Sequence, residues 1–348
     1  MASSTRSPVI PTLVLSSYQG AAFVVEQLSS LREQTHQTWR LLVRDDGSRD
    51  DTPALLRQEA QRDERIVVVE DGLGRLGPAR SYSRLLERAL DEGADWVALC
   101  DQDDWWLPQK LERLVERAEE LDSEAPWLLH SDLSVVGPDL ELRHRSLFAS
   151  MGLRHEAEHA LQVLLVQNFV TGCSAFVSRG LLEAALPVPA SCVMHDWWLA
   201  LCAAAEGRIA FEPEPLVLYR QHAGNALGAR SLVDSVKASA GRAISRRRSS
   251  PQEFLATLRQ AAALERHLMS RSERGQGGSR LAESLAFLAG YLDLFRTDSG
   301  RLRRVVSLQR WGVKRQSLLL DASLKLRLLT WSNDDPSLAA AAVSEASA

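Results

Sequence analysis

Four short apolar runs, each followed by a stretch with helical spacing, fill the first 125 residues and leave few folds open. The runs are Thr12 to Leu15, Leu41 to Val43, Ile66 to Val69 and Trp96 to Leu99. After the first, Ala22 to Arg32 places Phe23, Val24, Gln27, Leu28 and Leu31 around one helical face. After the second, Thr52 reads as an N-cap and Pro53 as the first helical residue, where a missing N–H costs nothing. Ala79 to Leu90 and Pro108 to Leu121 repeat the pattern. Strand and helix units of roughly 30 residues predict a parallel sheet covered by helices. Ligands of such sheets bind beyond the carboxyl ends of the strands, so those ends are where chemistry is sought.

Beyond residue 125 the alternation becomes irregular. Trp127 to Val136 and Phe169 to Val177 read as strands, with a helix from about Glu158 to Val166 between them. His195 to Ala205 reads as a helix, and Arg208 to Tyr219 as a strand pair broken by Pro213 and Pro215. From Ser231 the texture is helical and Arg-rich, which predicts a boundary at 228–232. The expected units are 1–229, a helical region 230–337 and a flexible tail 338–348. Charge follows the same division. Residues 230–348 hold 20 Lys and Arg against 11 Asp and Glu, a net of +9, so the overall −4 leaves −13 on residues 1–229. Cys100, Cys173, Cys192 and Cys202 show no Cys-x-x-Cys spacing and read as reduced, buried thiols. Met1 to Pro11 lacks the apolar run of a signal peptide, and the charge-free window Ala160 to Ser178 is interrupted by Gln162, Gln167 and Asn168. A cytoplasmic protein is expected, soluble or peripheral on the inner face of a membrane.

The strand ends are unusually polar. The first ends in Ser16-Ser17-Tyr18-Gln19-Gly20, the second in Asp45-Asp46-Gly47-Ser48 with Asp50-Asp51-Thr52 behind it, and the fourth in Asp101-Gln102-Asp103-Asp104-Trp105-Trp106. Alone, Asp-Gly-Ser is an ordinary turn, because Asx side chains bond their own backbone and glycine accepts positive φ. Together, three strand ends set carboxylates and hydroxyls along one edge of one sheet. Asp101 and Asp103, leaving an extended segment two residues apart, are expected to project the same way and to repel unless a cation or protons sit there. Hard divalent ions take oxygen ligands, often carboxylates together with phosphate oxygens. A metal bridging a diphosphate explains such a cluster better than a turn does.

The order SSYQG, RDDGSRDDT and LCDQDDWWLPQKL resembles family 2 glycosyltransferases of GT-A fold, in particular rhamnosyltransferase-like members of bacterial surface-polysaccharide pathways. The resemblance continues through Asn168-Phe169-Val170-Thr171-Gly172-Cys173, His195-Asp196-Trp197-Trp198 and Tyr219-Arg220-Gln221-His222-Ala223-Gly224-Asn225, covering about residues 9–228. It implies an α/β fold with a mixed, mostly parallel, Rossmann-like sheet flanked by helices, plus a C-terminal helical extension. It also implies an inverting, metal-dependent transfer of a sugar, best matched by rhamnose from dTDP-rhamnose with UDP-hexoses as rivals, to a saccharide or lipid-linked acceptor.

The implied roles follow residue by residue. Ser16, Tyr18 and Asp46 hold the base and ribose, with Asp45 in support, and Asp101 contacts the ribose or a metal-bound water. Asp103 is the direct ligand of Mg²⁺ or Mn²⁺, and His222 a third ligand or a diphosphate contact. Arg80, at a helix N-terminus after the loop Leu73 to Ala79, meets the diphosphate, as does Arg220 or Gln221. Asp196 is the base on the acceptor hydroxyl, against the plainer reading of a helix N-cap. Trp105, Thr171, Gly172, Trp197 and Trp198 belong to the acceptor or sugar pocket, one of the two adjacent tryptophans being core. Gln19 stands where Asn is commoner in the family, and Ser81-Tyr82 replaces an Arg-Asn pair.

Two other function classes fit parts of the chain. A phosphatase using a strand-end Asp-x-Asp fits LCDQDDW but leaves HDWW and YRQH unexplained, and a non-catalytic nucleotide-sugar binder leaves Asp103 and Asp196 without a purpose. His130-Ser131-Asp132 is no hydrolase triad, since adjacent residues cannot converge in one hydrogen-bond chain. The Arg-rich C-terminal region carries no recognisable nucleic-acid module. Arg246 to Arg248, and Arg301, Arg303, Arg304, Arg310, Lys314 and Arg315 beside Leu302, Val305, Val306, Leu308 and Trp311, have the composition of an interfacial helix or of a bundle packed on the acidic region.

Overall fold

The computed structural model describes residues 10–121, 125–222, 251–296, 299–331 and 336–343. They divide into two compact units: Met1–Ser146 with Val170–Val188 and Ala210–Arg220, and Leu147–Phe169 with Pro189–Ile209 and Gln221–Ala348. The sequence-based boundary at 228–232 lies outside the described residues.

In the first unit, β1 (Thr12–Ser17), β2 (Arg40–Asp45), β3 (Ile66–Val68) and β4 (Trp96–Cys100) alternate with α1 (Val24–Arg32), α2 (Thr52–Arg62) and α3 (Pro78–Asp91). The strands lie in the order β3-β2-β1-β4, all parallel. Their apolar runs are continuous rather than alternating, as strands covered on both faces require: Leu13 to Leu15, Leu41 to Val43 and Val97 to Cys100 are fully buried. The covering helices present stripes to them, in α3 Tyr82, Leu85, Leu86 and Ala89. Helix α2 begins one residue earlier than expected, with Asp51 at the cap position and Pro53 inside the first turn.

The sheet then turns antiparallel through β5 (Trp105–Trp106), β6 (Trp127–Val136), β7 (Leu142–His144), β8 (Ala175–Ser178) and β9 (Arg208–Arg220), making nine strands in the order β3-β2-β1-β4-β8-β6-β9-β5, with β7 on β6. Trp96, Trp127 and Phe176, one from each of β4, β6 and β8, pack with ring centroids 5.8–6.1 Å apart and tie the two halves together. Two expectations are corrected here. The strand over Phe169 to Val177 shrinks to β8, because Gly172–Ser174 form a 3-10 turn closed by the Ser174 N–H on the Thr171 carbonyl at 3.0 Å. Arg208–Arg220 is one strand, not a broken pair. Pro213 and Pro215, two residues apart, withhold donors on one edge only, the edge away from β5, whose side is marked by the Leu107 N–H on the Leu216 carbonyl at 3.1 Å. Helix α4 (Lys110–Glu119) follows β5.

The second unit is helical: α5 (Leu147–Met151), α6 (Ala160–Leu164), α8 (His195–Glu206), α9 (Pro251–Glu273), α10 (Ser279–Arg296), α11 (Arg301–Arg310), α12 (Leu318–Thr330) and α13 (Pro336–Val343), while α7 (Arg179–Ala185) belongs to the first. Its core is built on α8, buried from Trp198 to Ala205, and on Phe254, Tyr291 and Phe295 of α9 and α10. Residues 338–343, expected as tail, continue α13: Ala341 and Ala342 are buried, and Arg296 Nε donates to the Ala342 carbonyl at 3.1 Å. No described helix is long and apolar enough to cross a membrane. All four cysteines are free thiols.

Candidate active site

The ends of β1 and β4 are locked together by Gln102. Its Oε1 accepts from Ser17 Oγ at 2.7 Å and from the Tyr18 N–H at 2.9 Å, and its Nε2 donates to the Tyr18 carbonyl at 3.0 Å. This backbone pairing treats a side chain as one more strand. The next residues are tied to the loop between β2 and α2 and to the first residue of α2: Gln19, at φ +51°, donates its N–H to Ser48 Oγ and accepts the Arg49 N–H, while the Gly20 N–H reaches Thr52 Oγ1 at 2.8 Å. The Thr52 hydroxyl, expected to cap α2, is spent on this loop and on Asp50.

The two aspartates at the end of β2 divide their work. Asp45 accepts from the Gly47 and Ser48 N–H groups, an Asx turn. Asp46 is buried, and both oxygens are engaged: Oδ1 takes Arg44 Nη1 at 2.6 Å and the Leu76 N–H at 2.7 Å, and Oδ2 the Gly77 N–H at 2.8 Å. Its carboxylate therefore hangs the glycine-rich loop that precedes α3. Arg44, 1% exposed, also bonds Asp71, Ser81 Oγ and the Gly74 carbonyl. Ser81 Oγ in turn accepts from Ser16 Oγ at 2.7 Å, and Arg75 of the loop stacks over Tyr18 at 4.1 Å. Arg80 is exposed in the first turn of α3. A cavity of about 270 Å³ opens beside this network, lined among others by Asp45, Gly47, Asp71 and Gly74.

At the end of β4 the chain leaves the strand at Cys100 and turns at Gln102–Asp103. The turn changes which carboxylates meet. Asp101, Asp104 and Cys173 place ligand atoms within 4.8 Å of one another, the one such trio among the described residues. Asp103, the direct ligand that the family resemblance implies, is buried beside them but is not part of the trio. Burial and repulsion from Asp103 raise the Asp101 carboxyl to about 6, against the hydrogen bond it accepts from the Tyr82 hydroxyl at 2.8 Å. Asp104 is pushed up as well, by burial and by repulsion from Asp103 and Asp101. The countercharge is Lys110, fully buried, its Nζ 2.6 Å from the Cys173 carbonyl and 3.3 Å from the centre of the Trp106 ring. Burial pulls that ammonium down to about 8. Two carboxylates and a thiol that burial has made costly to charge fit a divalent cation, which would take the two oxygens as hard ligands.

Thr171 and Gly172 sit at the 3-10 turn that delivers Cys173 to this cluster, and half-buried Trp105 lies in β5. Arg220, expected near phosphate, is spent elsewhere. Its N–H donates to Asp104 Oδ1 at 3.0 Å, its Nε to the Asp103 carbonyl at 2.8 Å and its Nη2 to Glu26 at 2.6 Å. It locks the end of β9 to the β4–β5 turn.

Asp196, Trp197, Trp198 and His222 belong to the second unit. Helix α8 starts at His195 with Met194 as cap, so the N-cap reading of Asp196 does not hold. Its carboxylate accepts the Trp197 N–H at 2.7 Å and stays partly exposed at the positive end of the helix. Trp198 is core, edge-on to His267 at 5.4 Å; Trp197 is half-buried, its Nε1 donating to the Leu164 carbonyl at 2.7 Å. Burial drives His195 down to about 3.

Sequence reading missed Arg44, Gln102, Lys110 and the pairing of Asp104 with Cys173. Arg44 carried a signal, a cation at the end of the apolar run Leu41–Val43. The others depend on chain segments up to 85 residues apart.

Fold and site together define a GT-A-type α/β protein. Among solved structures, Staphylococcus aureus TarS residues 1–349 in complex with UDP-GlcNAc superposes with a TM-score of 0.55 at 14% identity, over 96% of this chain and 90% of that one. The description of glycosyl transferase family 2 matches residues 12–184, about half of the chain, and the chain belongs to that family. Relatives include an uncharacterized Mycobacterium tuberculosis protein, 25% identical over 219 residues (61% of this chain, 59% of the relative). The dTDP-rhamnosyl transferase RfbG of Shigella flexneri is 22% identical over 229 residues (62% and 74%). The succinoglycan biosynthesis protein ExoO of Rhizobium meliloti is 30% identical over 157 residues (45% and 42%). The chain thus spans about 59% of the length of the mycobacterial relative.

Proposed function

We propose that the chain is an inverting glycosyltransferase that moves a sugar from a nucleotide diphosphate to a hydroxyl of a saccharide or lipid-linked acceptor in surface-polysaccharide synthesis. The observation that carries this reading is the convergence, within the family segment, of the β1, β2 and β4 ends on Gln102, Asp46 and the Asp101–Asp104 cluster. The Asp46-held loop, Tyr18 under Arg75 and Ser16 form the base and ribose side, and Arg80 offers its cation to the diphosphate. The name of RfbG favours dTDP-rhamnose; the UDP-GlcNAc in the TarS structure supports a UDP-hexose as the second reading.

In transfer, Asp196 takes the proton of the acceptor hydroxyl as its oxygen attacks the anomeric carbon. The bond from that carbon to the diphosphate breaks, and the nucleotide leaves with the electron pair. Mg²⁺ or Mn²⁺, held by Asp101 and Asp104 with Asp103, would neutralise charge on the leaving diphosphate. Gln102 and Arg44 keep the donor loops in place before binding, so that little ordering is left to be done by the donor. Peripheral membrane contact through the C-terminal helices belongs to the same reading, since a lipid-linked acceptor is presented at a surface.

The test is nucleotide release from dTDP-rhamnose and from UDP-sugars with Mn²⁺ and a saccharide acceptor. Asp196→Asn is expected to abolish transfer and leave donor binding intact, whereas Asp103→Ala weakens donor binding. Transfer retained in Asp196→Asn removes the base assignment, and no donor bound by the wild type removes the function.

A further inference from the structure

Helix α12 is apolar on two opposite faces. Leu324 and Leu328 are buried in the helical unit, while Leu319, Ala322, Leu326 and Leu329 form a second stripe at helical spacing on the far side, and that stripe is exposed. Helix α11 repeats the arrangement: Arg304 and Leu308 point in, Leu302 and Val306 out. The two helices pack on each other through a tight turn, in which the Val313 N–H reaches the Leu308 carbonyl at 2.9 Å past Gly312 at φ +74°. The outward leucines and valine are 40–88% exposed, Leu318 most of all. Single exposed leucines need no explanation, but two adjacent helices with a full outward stripe do.

Charge selects the occupant. Residues 299–331 hold eight Lys and Arg and a single acidic residue, Asp321, which pairs with Lys325 at 2.8 Å. Arg303 and Arg310, seven residues apart, run in a row beside Leu302 and Val306, and both are exposed, as is Lys314 in the turn. A second copy of this face would set like charge against like charge. Leucines that stand out from the surface suit a deformable layer that closes around them, and the flanking cations suit its anionic headgroups. We propose that α11 and α12 form a docking face for an anionic lipid bilayer, lying in the interface with Leu302, Val306, Leu319 and Leu326 inserted among the acyl chains. The proposed lipid-linked acceptor gives this face a purpose but supplies none of its evidence.

The full chain, without donor or acceptor, is floated with vesicles of phosphatidylcholine alone and of phosphatidylcholine with about 30 mol % phosphatidylglycerol. Wild type is expected to rise with the anionic vesicles and to be released by salt. Leu319→Ser/Leu326→Ser, whose changes are on exposed positions, lowers the partition coefficient about tenfold or more, as does Arg303→Gln/Arg310→Gln. Circular dichroism and thermal unfolding check that both variants fold. Wild type left behind by anionic vesicles, or a leucine variant that binds as well as wild type, overturns the proposal. So does a dimer in light scattering that the leucine variant dissolves, since the face is then an interface between copies. Transfer to a water-soluble acceptor separates this outcome from failure of the proposed function: it survives in both variants if the chain is a transferase, whatever the vesicles do.

Discussion

Replacing Arg44 by methionine tests the idea that the loops after β2 and β3, proposed to hold the donor, hang from one buried cation. The guanidinium makes five hydrogen bonds, two to Asp71 and one each to Asp46, Ser81 Oγ and the Gly74 carbonyl, and is itself 1% exposed. Methionine fills much of the same apolar stem, so the loss is chiefly electrostatic: Asp46, 3% exposed, keeps two backbone donors but loses its countercharge. Removing one partner of a buried pair costs about 3–5 kcal/mol. At about 2–4 °C per kcal/mol for a unit of this size, melting temperature falls by about 6–20 °C. Arg44→Lys recovers part of this, since an ammonium can meet one carboxylate but not fork between two. Arg44→Met/Asp71→Asn recovers part as well, with a coupling of at least about 1 kcal/mol, because the second change removes a stranded charge. Donor affinity, measured below the melting transition, drops at least about tenfold in Arg44→Met through the loosened loop. Melting within about 2 °C of wild type, or no recovery on adding Asp71→Asn, refutes the reasoning.

Three further outcomes are expected. His195 is held neutral by burial, at about 3 against an ordinary 6.5, so the unfolded chain binds the extra proton and stability falls as pH drops from about 6.5 toward 3. Between pH 7 and 5 its share of the loss is about 2 kcal/mol; thermal melts of His195→Leu lack that component, and equal pH slopes for the two proteins remove the account. Gly20→Ala drives a methyl into the Gln102 amide and the Ser17 hydroxyl, lowering melting temperature and donor affinity together. Gln102→Ala added to it restores melting temperature in part but not affinity, and failure to restore it means that the clash is not with Gln102. Cys173→Ser keeps the small buried side chain and the Cys173 carbonyl that Lys110 bonds, so Mn²⁺ affinity read by isothermal titration shifts less than in Asp104→Asn; the reverse order makes the thiol the main ligand.

The parts of the fold legible in the sequence are those set by local pattern. Continuous apolar runs followed by helical stripes placed β1 to β4 within two residues, and Pro53 lies in the first turn of its helix because it locks φ where a helix tolerates it, whereas the helix expected to open at Pro108 starts two residues later, at Lys110. What escaped the pattern depends on partners far along the chain. Pro213 and Pro215 ordinarily break a strand, yet β9 runs through them because both withhold donors from the same edge, the one away from β5. Spacing paired Asp101 with Asp103, but a turn paired Asp101 with Asp104, and Cys173 arrived from 69 residues away on a 3-10 turn inside an apparent strand. Asp46 shows why a motif names a residue more readily than its task. Sequence marks it as a strand-end carboxylate, and alone it would be free to accept from a base. Leu76 and Gly77, thirty residues on, supply donors to both of its oxygens while Arg44 neutralises it from behind. A carboxylate so engaged can shape the proposed base pocket far more than it can bond the base, so substitution at Asp46 is expected to alter the loop first and any selectivity between nucleotides only as a consequence.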